Sequence, residues 1–212
     1  MSYYFWEGEL PKSECEKLIK EFDTSKSVDA STGNYQGKDA LYPEEIEVMK
    51  KEDNWDFEKN QPKNAGVPDD SIRRTKLNWF PTNHKYNKIL SDYVLKANKI
   101  MYHYNVTNFT LCQFARYDAG DFYNYHQDSG HQIIEYDKET LKISMTVQLS
   151  DRDSYEGGEF IFYNGNNEEI RPDIQKQGSI ICFDSRMWHR VAPVTKGVRY
   201  SLVSWILGPR FQ

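Results

Sequence analysis

The pattern of apolar and polar positions changes period near residue 105. Before it, apolar residues recur every three or four positions in two stretches, which predicts amphipathic helices. After it, apolar and polar residues alternate in short segments, which predicts β-strands. The segments are FTLCQFARY, LKISMTVQLS, GEFIFY, EEIRP, GSIICFD, HRVAPV and VRYSLVSWIL. Many short strands separated by turns predict a sandwich or a jelly roll, with the helices packed against one sheet.

Each predicted helix has an apolar face. We expect the first, in PKSECEKLIKEF, to begin with a capping box formed by Ser13 and Glu16. Its apolar face consists of Cys15, Leu18, Ile19 and Phe22. We expect the second, in HKYNKILSDYVLKANKIM, to pack across a sheet. Its apolar face consists of Tyr86, Ile89, Leu90, Tyr93, Val94, Ala97 and Met101.

Residues 24–78 are mostly polar and rich in Gly, Pro, Asn and Asp. This composition predicts loops around a short helix that begins at Pro43. Long irregular segments in compact domains are often lids or binding loops. A surface excursion without a function is the alternative, and the sequence leaves both open.

Charge and cysteine content narrow the class of protein. The net charge is −5, whereas proteins that hold duplex nucleic acid through its phosphates are usually basic. The three cysteines are far apart and form no CxxC motif, which predicts buried, reduced thiols. The sequence contains neither a secretory signal pattern nor an apolar run of membrane-spanning length, so we expect a cytoplasmic location, in a bacterium or a phage-infected host, and no membrane partner.

Candidate chemistry is concentrated in FARYDAGDFYNYHQDSGH, residues 114–131. In a strand or an extended turn, His126 and Asp128 point to the same side, because they are two residues apart. A third ligand must come from elsewhere, and His189 after the strand GSIICF is the best candidate. Two imidazoles and one carboxylate form the facial triad of non-haem Fe(II) oxygenases, which leaves coordination positions open. A solvated turn around His126 is the simpler alternative.

Arg199 is a candidate anion site. It lies in the apolar run VRYSLVSW, ten residues after His189, which argues against a surface ion pair. If HRVAPV and VRYSLV form a hairpin through Lys196 and Gly197, Arg199 comes near the histidine strand. A guanidinium group matches a carboxylate with two parallel hydrogen bonds.

The pattern of HxD, a distal His and an Arg ten residues later resembles the 2-oxoglutarate- and Fe(II)-dependent dioxygenases. It is most similar to their prolyl-4-hydroxylase-like branch, including PKHD-type hydroxylases of bacteria and similar phage proteins. The stretches that carry the resemblance are RYDAGDFYNYHQD, KISMTVQLSDRDSYEGGEF, GSIICFDSRMWHRVAPVTKGVRYSLVSWILGP and, upstream, IRRTKLNWF. The resemblance implies one α+β, mainly β domain over 1–212. It implies a double-stranded β-helix (jelly roll) core at 105–209, buttressed by a helical and loop region at 1–104.

The resemblance also implies roles for individual residues. It assigns Fe(II) to His126, Asp128 and His189. Arg199 would bind the far carboxylate of 2-oxoglutarate, although animal collagen hydroxylases carry lysine there. Tyr117 and Gln148 would contact the co-substrate, and Ser201 would support the same carboxylate. For Tyr117, packing in the core is the alternative.

The implied reaction hydroxylates an unactivated C–H bond with O₂ and releases succinate and CO₂, with ascorbate as a further candidate cofactor. We expect a peptide or protein substrate, with proline as the candidate residue. The alternative is a small molecule such as a free amino acid or a nucleotide, or else a nucleic acid. Nucleic acid is disfavoured, because related repair enzymes carry a second arginine where this chain has Trp205. A jelly-roll module that binds metal without turnover is the third hypothesis.

The remaining candidates have structural interpretations. We expect His131 to lie at the mouth of the site without binding metal, and His84 and His103 to be structural. Four aromatic residues either line a substrate groove or, as is commoner, pack the core. They are Trp79, Phe80, Tyr125 and Trp188.

Overall fold

The structure is a computed structural model that describes residues 3–24, 27–30, 72–80, 84–110, 112–129, 139–166 and 168–211. These ranges form antiparallel β-sheets and two α-helices, so the predicted α+β, mainly β class is confirmed. No helix in this part of the chain has the length and apolar character of a membrane-spanning segment. The helix predicted at Pro43, and most of the loops predicted over 24–78, lie outside the described residues.

The α-helices are α1, Lys12–Phe22, and α2, Lys85–Ala97, which continues into a π-helical turn at Asn98–Tyr102. The predicted capping box is wrong, because α1 begins one residue before Ser13 and has no side-chain cap. Instead, the carbonyl of Pro11 accepts the N–H groups of Glu14 and Cys15. A proline at this position supplies a fixed φ and needs no donor partner.

The large sheet has seven strands. Their spatial order is β1 (Tyr3–Trp6), β11 (Ile180–Asp184), β7 (Glu139–Gln148), β14 (Arg199–Pro209), β5 (Gln113–Tyr117), β4 (Lys76–Trp79) and β2 (Val28–Asp29). The small sheet has five, in the order β10 (Glu169–Ile170), β9 (Phe160–Tyr163), β12 (His189–Val191), β6 (Phe122–His126) and β3 (Arg73–Arg74). A separate ribbon pairs β13 (Val194–Gly197) with β8 (Tyr155–Gly157).

The strand predictions after residue 105 are confirmed in their main segments, but one pairing is wrong. HRVAPV and VRYSLV do not form a hairpin, because β12 pairs with β6 and β9, whereas β14 pairs with β5 and β7. Lys196 and Gly197 lie in β13, which pairs with β8. The expectation of loops over 24–78 is also wrong for the described parts, which contain β2, β3 and β4. The division of the domain at residue 104 stays a prediction.

The two faces of the large sheet pack against different partners. One face packs against α1 and α2, and its buried residues include Met145, Cys182 and Leu202. The other faces the small sheet, where Phe183 meets Phe160 and Phe162 at ring-centroid distances of 5.5 and 5.1 Å. The molecule is therefore a two-sheet jelly roll buttressed by helices on one side, as predicted.

The structure shows which of the cysteines, helix residues and aromatic residues discussed above are buried. The three cysteines are buried and free, as expected. Ile89 is exposed, not part of the buried face of α2, because that face is formed by residues such as Leu90 and Val94. Phe80 stacks on Phe22 in the helix-side core, whereas Trp188 is 43% exposed and is not a core residue.

Candidate metal centre

The structure brings His126, Asp128 and His189 together between the two sheets. His126 ends β6, His189 begins β12, and the antiparallel register places these two histidines opposite each other. Asp128 follows β6 by two residues, and one ligand atom from each residue lies within 4.8 Å of the others. The Nε2 atoms of His126 and His189 lie 3.5 and 3.6 Å from the carboxylate oxygens of Asp128.

Both imidazoles are oriented by the backbone. The Nδ1 of His126 lies 2.8 Å from the carbonyl oxygen of Asn124, and the Nδ1 of His189 lies 2.9 Å from that of Met187. A carbonyl can only accept, so each Nδ1 carries the proton and donates it. Each Nε2 faces Asp128, and in the neutral form of the ring it carries the lone pair. This is the tautomer that a metal requires when it binds through Nε2.

Two serines orient Asp128. Ser144 in β7 donates to Oδ2 of Asp128 at 2.5 Å. Its oxygen also lies 2.9 Å from the hydroxyl of Ser185. Since one hydroxyl has a single proton, Ser144 donates to the carboxylate and accepts from Ser185. Asp128 is thus fixed by a hydrogen-bonded chain that begins in the large sheet.

The protonation states favour metal binding. Burial would raise the pKa of Asp128, but the nearby His189 and His126 and the hydroxyl of Ser144 outweigh it and hold the pKa well below the ordinary value. Burial, followed by repulsion from His126, lowers the pKa of His189 to about 4. At neutral pH, Asp128 is an anion and His189 a neutral base, which are the forms that bind a cation.

Aromatic rings enclose the centre. The ring of His189 lies 4.7 Å from that of Phe183 and 5.4 Å from that of Phe160, measured between centroids. On the other side, the ring of Tyr123 stacks on His126 at 3.6 Å. Burial in this shell raises the pKa of Tyr123 to about 12, so its phenol stays neutral. The apolar walls limit access of water to the ligand atoms.

Arg199 lies inside the same two-sheet interior, at the start of β14. Its register partner on β5 is Tyr117, and its guanidinium carbon lies 5.6 Å from the centre of the Tyr117 ring. Arg199 is only 2% exposed, yet it forms no ion pair with any described carboxylate. Its one hydrogen bond in the described part of the chain is a long one, 3.5 Å, from Nη1 to Ser201. Burying such a cation is costly, and the part of the chain that the structure describes supplies no anion to offset its charge.

Tyr117 and Gln148 lie on either side of Arg199. Tyr117 is its neighbour on β5, and Gln148 on β7 is the register partner of Ser201, whose side chain shares the face of Arg199. The amide of Gln148 donates to the hydroxyl of Tyr155 at 3.0 Å and to the carbonyl of Ser150 at 3.1 Å. These bonds fix the side chain of Gln148 within the interior.

Gly158 makes room for Arg199. A Cβ atom at this position would lie 3.0 Å from the Cδ atom of Arg199, and φ is +65°, a value that favours glycine. The preceding Gly157 also has a positive φ of +73°. The two glycines lie at the junction of β8 and β9, and they allow the chain to pass close to the buried guanidinium.

The other histidines lie away from the centre or outside the described residues. His84 packs between Phe80 and Tyr86 and contacts Glu21 at 3.0 Å, so it is structural, as expected. His103 is exposed and ends the π-helical turn in the left-handed conformation, with φ of 54°. His131 lies outside the described residues.

Sequence reasoning missed several residues around the centre. They are Arg73, Gln113, Ser144 and Ser185. The alternation in KISMTVQ contains a usable signal, because its polar positions Ser144, Thr146 and Gln148 share one face of a strand. A polar face usually predicts exposure to solvent, but here every one of these side chains is buried.

The donor set fits the Fe(II) that the sequence suggests. Two imidazole nitrogens and one carboxylate on one side of an ion form a facial triad and leave coordination positions open. The three side chains converge, and at neutral pH Asp128 is ionised and His189 is a neutral base. The guanidinium of Arg199, which pairs with no described carboxylate, is complementary to a dicarboxylic acid such as 2-oxoglutarate.

Comparison with known proteins agrees with this chemistry. Residues 112–207 match the model of the 2OG-Fe(II) oxygenase superfamily. A PKHD-type hydroxylase of Alteromonas mediterranea is 38% identical over 96 residues, which are 44% of this chain and 41% of the relative. Another from Rippkaea orientalis is 37% identical over 93 residues, with 44% and 40% coverage. The match thus spans about two fifths of the length of these curated relatives.

Solved structures resemble the whole fold. A prolyl-4-hydroxylase of Pseudomonas putida matches with a TM-score of 0.63 at 17% identity, covering 99% of this chain and 93% of that one. A viral collagen prolyl hydroxylase from Paramecium Bursaria Chlorella virus-1 matches with 0.61 at 20% identity, covering 98% and 97%. At these identities the likeness establishes the jelly-roll fold. In sequence, residues 112–207 match the 2OG-Fe(II) oxygenase superfamily and are similar to the PKHD-type hydroxylases.

Proposed function

We propose that this chain is an Fe(II)- and 2-oxoglutarate-dependent dioxygenase that hydroxylates an unactivated C–H bond in a peptide or protein, with proline as the candidate target. One observation carries the proposal. A convergent set of two imidazoles and a carboxylate shares the interior of the jelly roll with Arg199, which is buried and pairs with no carboxylate of the described residues. A structural metal site would not require the second feature.

His126, Asp128 and His189 would hold Fe(II) through two Nε2 atoms and one carboxylate. Their carbonyl and hydroxyl partners keep these atoms in position before the ion arrives, so little reorganisation is needed on binding. When bound, the ion would supply the O₂ chemistry, in which R–H, O₂ and 2-oxoglutarate give R–OH, succinate and CO₂.

Arg199 would bind the far carboxylate of 2-oxoglutarate with its fork of N–H donors. Ser201, whose hydroxyl lies beside the guanidinium, can donate a further hydrogen bond to that carboxylate. Tyr117 and Gln148 would border the co-substrate, because both project into the interior next to Arg199. The apolar rings around His189 would exclude water from the reacting atoms.

A peptide substrate is supported by two observations. A prolyl hydroxylase from Trichoplax adhaerens, solved in complex with a hypoxia inducible factor peptide fragment, has the same fold with a TM-score of 0.63 at 17% identity. In this chain, Trp188 is exposed immediately before His189, where an extended segment could pack against it. The net charge of −5 and Trp205 disfavour nucleic acid. Ascorbate as a cofactor and the cytoplasmic location stay predictions.

The reaction class is tested without a known substrate. Anaerobic addition of Fe(II) and 2-oxoglutarate to the full chain should produce a weak visible charge-transfer band, and admission of O₂ should yield succinate. His126→Ala should abolish the band, because it removes a metal ligand. The matched control is His103→Asn, which changes an exposed histidine to a residue that tolerates its left-handed backbone. It should leave the band unchanged.

A band that persists in His126→Ala would assign the metal to other residues. Absence of both band and succinate in the wild-type chain would favour a binding module without turnover. The substrate class has its own test, which is mass spectrometry of a host lysate treated with the active or the His126→Ala chain. We expect peptides that gain the mass of one oxygen only with the active chain. Such a gain on free amino acids alone would reject the peptide assignment.

A further inference from the structure

Arg73 is a second buried arginine of the interior. It lies in β3 at the edge of the small sheet, and its Nη2 donates to Oε1 of Gln113 in the large sheet at 3.0 Å. Its guanidinium carbon lies 4.3 Å from the centre of the Tyr123 ring. Tyr123 in turn stacks on His126, so a single ring separates this cation from a residue of the metal centre.

The charge of Arg73 has no carboxylate partner among the described residues. The residue is 8% exposed, its Nε atom is buried without any hydrogen-bond acceptor, and no described carboxylate forms an ion pair with it. Elsewhere in the described chain, partly exposed arginines do pair with carboxylates. These are Arg116, Arg171, Arg186 and Arg190. Burying a cation that lacks such a partner is costly, so the arrangement indicates an anion from outside the described residues, and a bound molecule can supply it.

2-Oxoglutarate accounts for only one of the two buried cations. In the proposed function its far carboxylate pairs with Arg199 on β14 of the large sheet. Arg73 lies on the small sheet, on the Tyr123 side of His126, and therefore needs a different anion. The remaining molecule that must approach this centre is the substrate.

We propose that Arg73 binds a carboxylate of the substrate and so selects substrates in which an anionic group lies close to the hydroxylated carbon. This inference rests on the proposed function. Two sources share the chemistry, namely the terminal carboxylate of an amino acid or peptide, and an acidic side chain next to the target residue in a longer peptide. Gln113 holds the guanidinium in place, and the Tyr123 ring supports it from one side.

The test uses the full chain loaded with Zn(II), which is diamagnetic, and saturated with 2-oxoglutarate so that the Arg199 site is filled. Two matched pairs of probes are titrated and followed by calorimetry and by the ¹⁵Nε–H resonance of Arg73. The first pair is N-acetyl-L-proline and N-acetyl-L-prolinamide. The second is N-acetyl-Pro-Glu-amide and N-acetyl-Pro-Gln-amide. The first pair tests whether the site binds a terminal carboxylate, and the second tests whether it binds a side-chain carboxylate.

We expect the acidic member of at least one pair to bind about 10- to 100-fold more tightly than its neutral partner, as for a hydrogen bond to a charged group. The Arg73 resonance should shift with the acidic member. Arg73→Gln should remove the preference, and Arg73→Lys should retain part of it. The matched control is Arg74→Gln, which removes the neighbouring exposed arginine and should keep the preference.

Three results would overturn the inference. They are equal or absent binding of both members in both pairs, a preference that survives in Arg73→Gln, and an equally large loss of 2-oxoglutarate affinity in Arg73→Gln. The last would assign Arg73 to the co-substrate site. Circular dichroism of each variant separates these results from misfolding. Release of succinate by the wild-type chain tests the proposed function separately, because it requires none of these probes.

Discussion

The two faces of β7 are equally buried but chemically opposite. On the face towards the helices, Ile143, Met145 and Val147 are apolar and closely packed. On the face towards the small sheet, Ser144, Thr146 and Gln148 are polar, although they too are almost inaccessible to solvent. Successive residues of one strand therefore belong to two different interiors.

The same division continues across the large sheet. On β14, Leu202 packs towards the helices, whereas Arg199 and Ser201 face the interior between the sheets. The helix-side interior is stabilised by removal of apolar surface from water. The interior between the sheets contains buried polar groups whose partners are incomplete, and this opposes stability. The comparison teaches that the polarity of buried side chains, and not their burial alone, locates the site in this fold.

The largest expected effect is a loss of stability, caused by a substitution on the helix-facing side of the large sheet. Phe114 on β5 is fully buried and lies 6.0 Å from Phe22 and 5.6 Å from Tyr200, between ring centroids. Phe114→Ala should lower the free energy of unfolding by about 3–5 kcal/mol, because it leaves a cavity in a close-packed core. Urea denaturation measures this loss. The folded fraction should bind Fe(II) as the wild-type chain does, and a matching loss of metal affinity would contradict the separation of the two faces.

Arg199→Met should weaken co-substrate binding without lowering the free energy of unfolding, whereas Phe114→Ala lowers the free energy of unfolding without weakening binding. The change removes the guanidinium that would bind the far carboxylate, so the affinity for 2-oxoglutarate should fall by about 2–5 kcal/mol, while Fe(II) still binds. In the absence of co-substrate, the free energy of unfolding should not fall and should even rise, because an unpaired buried cation is replaced by an apolar side chain of similar length. Calorimetry and urea denaturation give the two quantities.

The control for this variant is Arg171→Met, which removes an exposed arginine paired with Glu169. It should change neither the affinity for 2-oxoglutarate nor the free energy of unfolding by more than a few tenths of a kcal/mol, as is usual for surface ion pairs. If Arg199→Met destabilised the free chain by as much as Phe114→Ala, Arg199 would be a structural residue. Its assignment to 2-oxoglutarate would then be wrong.

Ser144→Ala should weaken Fe(II) binding, and this effect should be smaller than the two described above. The change deletes the hydrogen bond to Oδ2 of Asp128 and leaves the hydroxyl of Ser185 without that acceptor. Loss of a group that orients a ligand typically reduces metal affinity about 10–100-fold. Competition with a coloured chelator measures the affinity. The control is Ser204→Ala on the helix-facing side of β14, which is also buried and should bind Fe(II) normally.

The sequence predicts several strands and the three candidate metal ligands, but it does not predict how the strands pair. Alternation identified β7, β11 and β14, and the spacing of His126, Asp128 and His189 suggested a shared ion that the structure's geometry permits. Strand pairing could not be predicted, because the turn after β12 leads into β13 and its ribbon with β8, not directly into β14. Arg199 reaches the interior through its neighbour β5, a contact between residues far apart in sequence.

Arg73 shows a second limit of the sequence. It lies in a stretch that is polar and contains two adjacent arginines, so its composition predicts a solvated loop. In the structure, a strand of only two residues pairs with β6 and directs Arg73 inwards and Arg74 outwards. Which of two neighbouring arginines is buried depends on the register of this short strand. Local propensity does not determine that register.

The smallest expected effect is on stability and concerns the acidic residue Asp184, at the end of β11. Asp184 at the end of β11 accepts hydrogen bonds from Arg186 and from the hydroxyl of Tyr104. Burial raises the pKa of Asp184, but these two partners outweigh it and keep the pKa below its ordinary value of about 3.9. The ionised group therefore stabilises the fold at any pH above the ordinary value, and this contribution is lost as the pH falls through the lower pKa of the folded state.

Asp184→Asn removes this titration while keeping a side chain of similar size. At neutral pH the variant should be less stable than the wild-type chain by about 1 kcal/mol or less, since Arg186 is half exposed and the ion pair is partly screened. As the pH falls into the range where Asp184 gains a proton, the difference should shrink towards zero, because the wild-type carboxyl becomes neutral as well. Urea denaturation of both chains across the acid range measures the difference. A difference that grew in acid would mean that Asp184 is protonated more readily in the folded chain than in the unfolded one, which would reverse the balance between burial and its two partners.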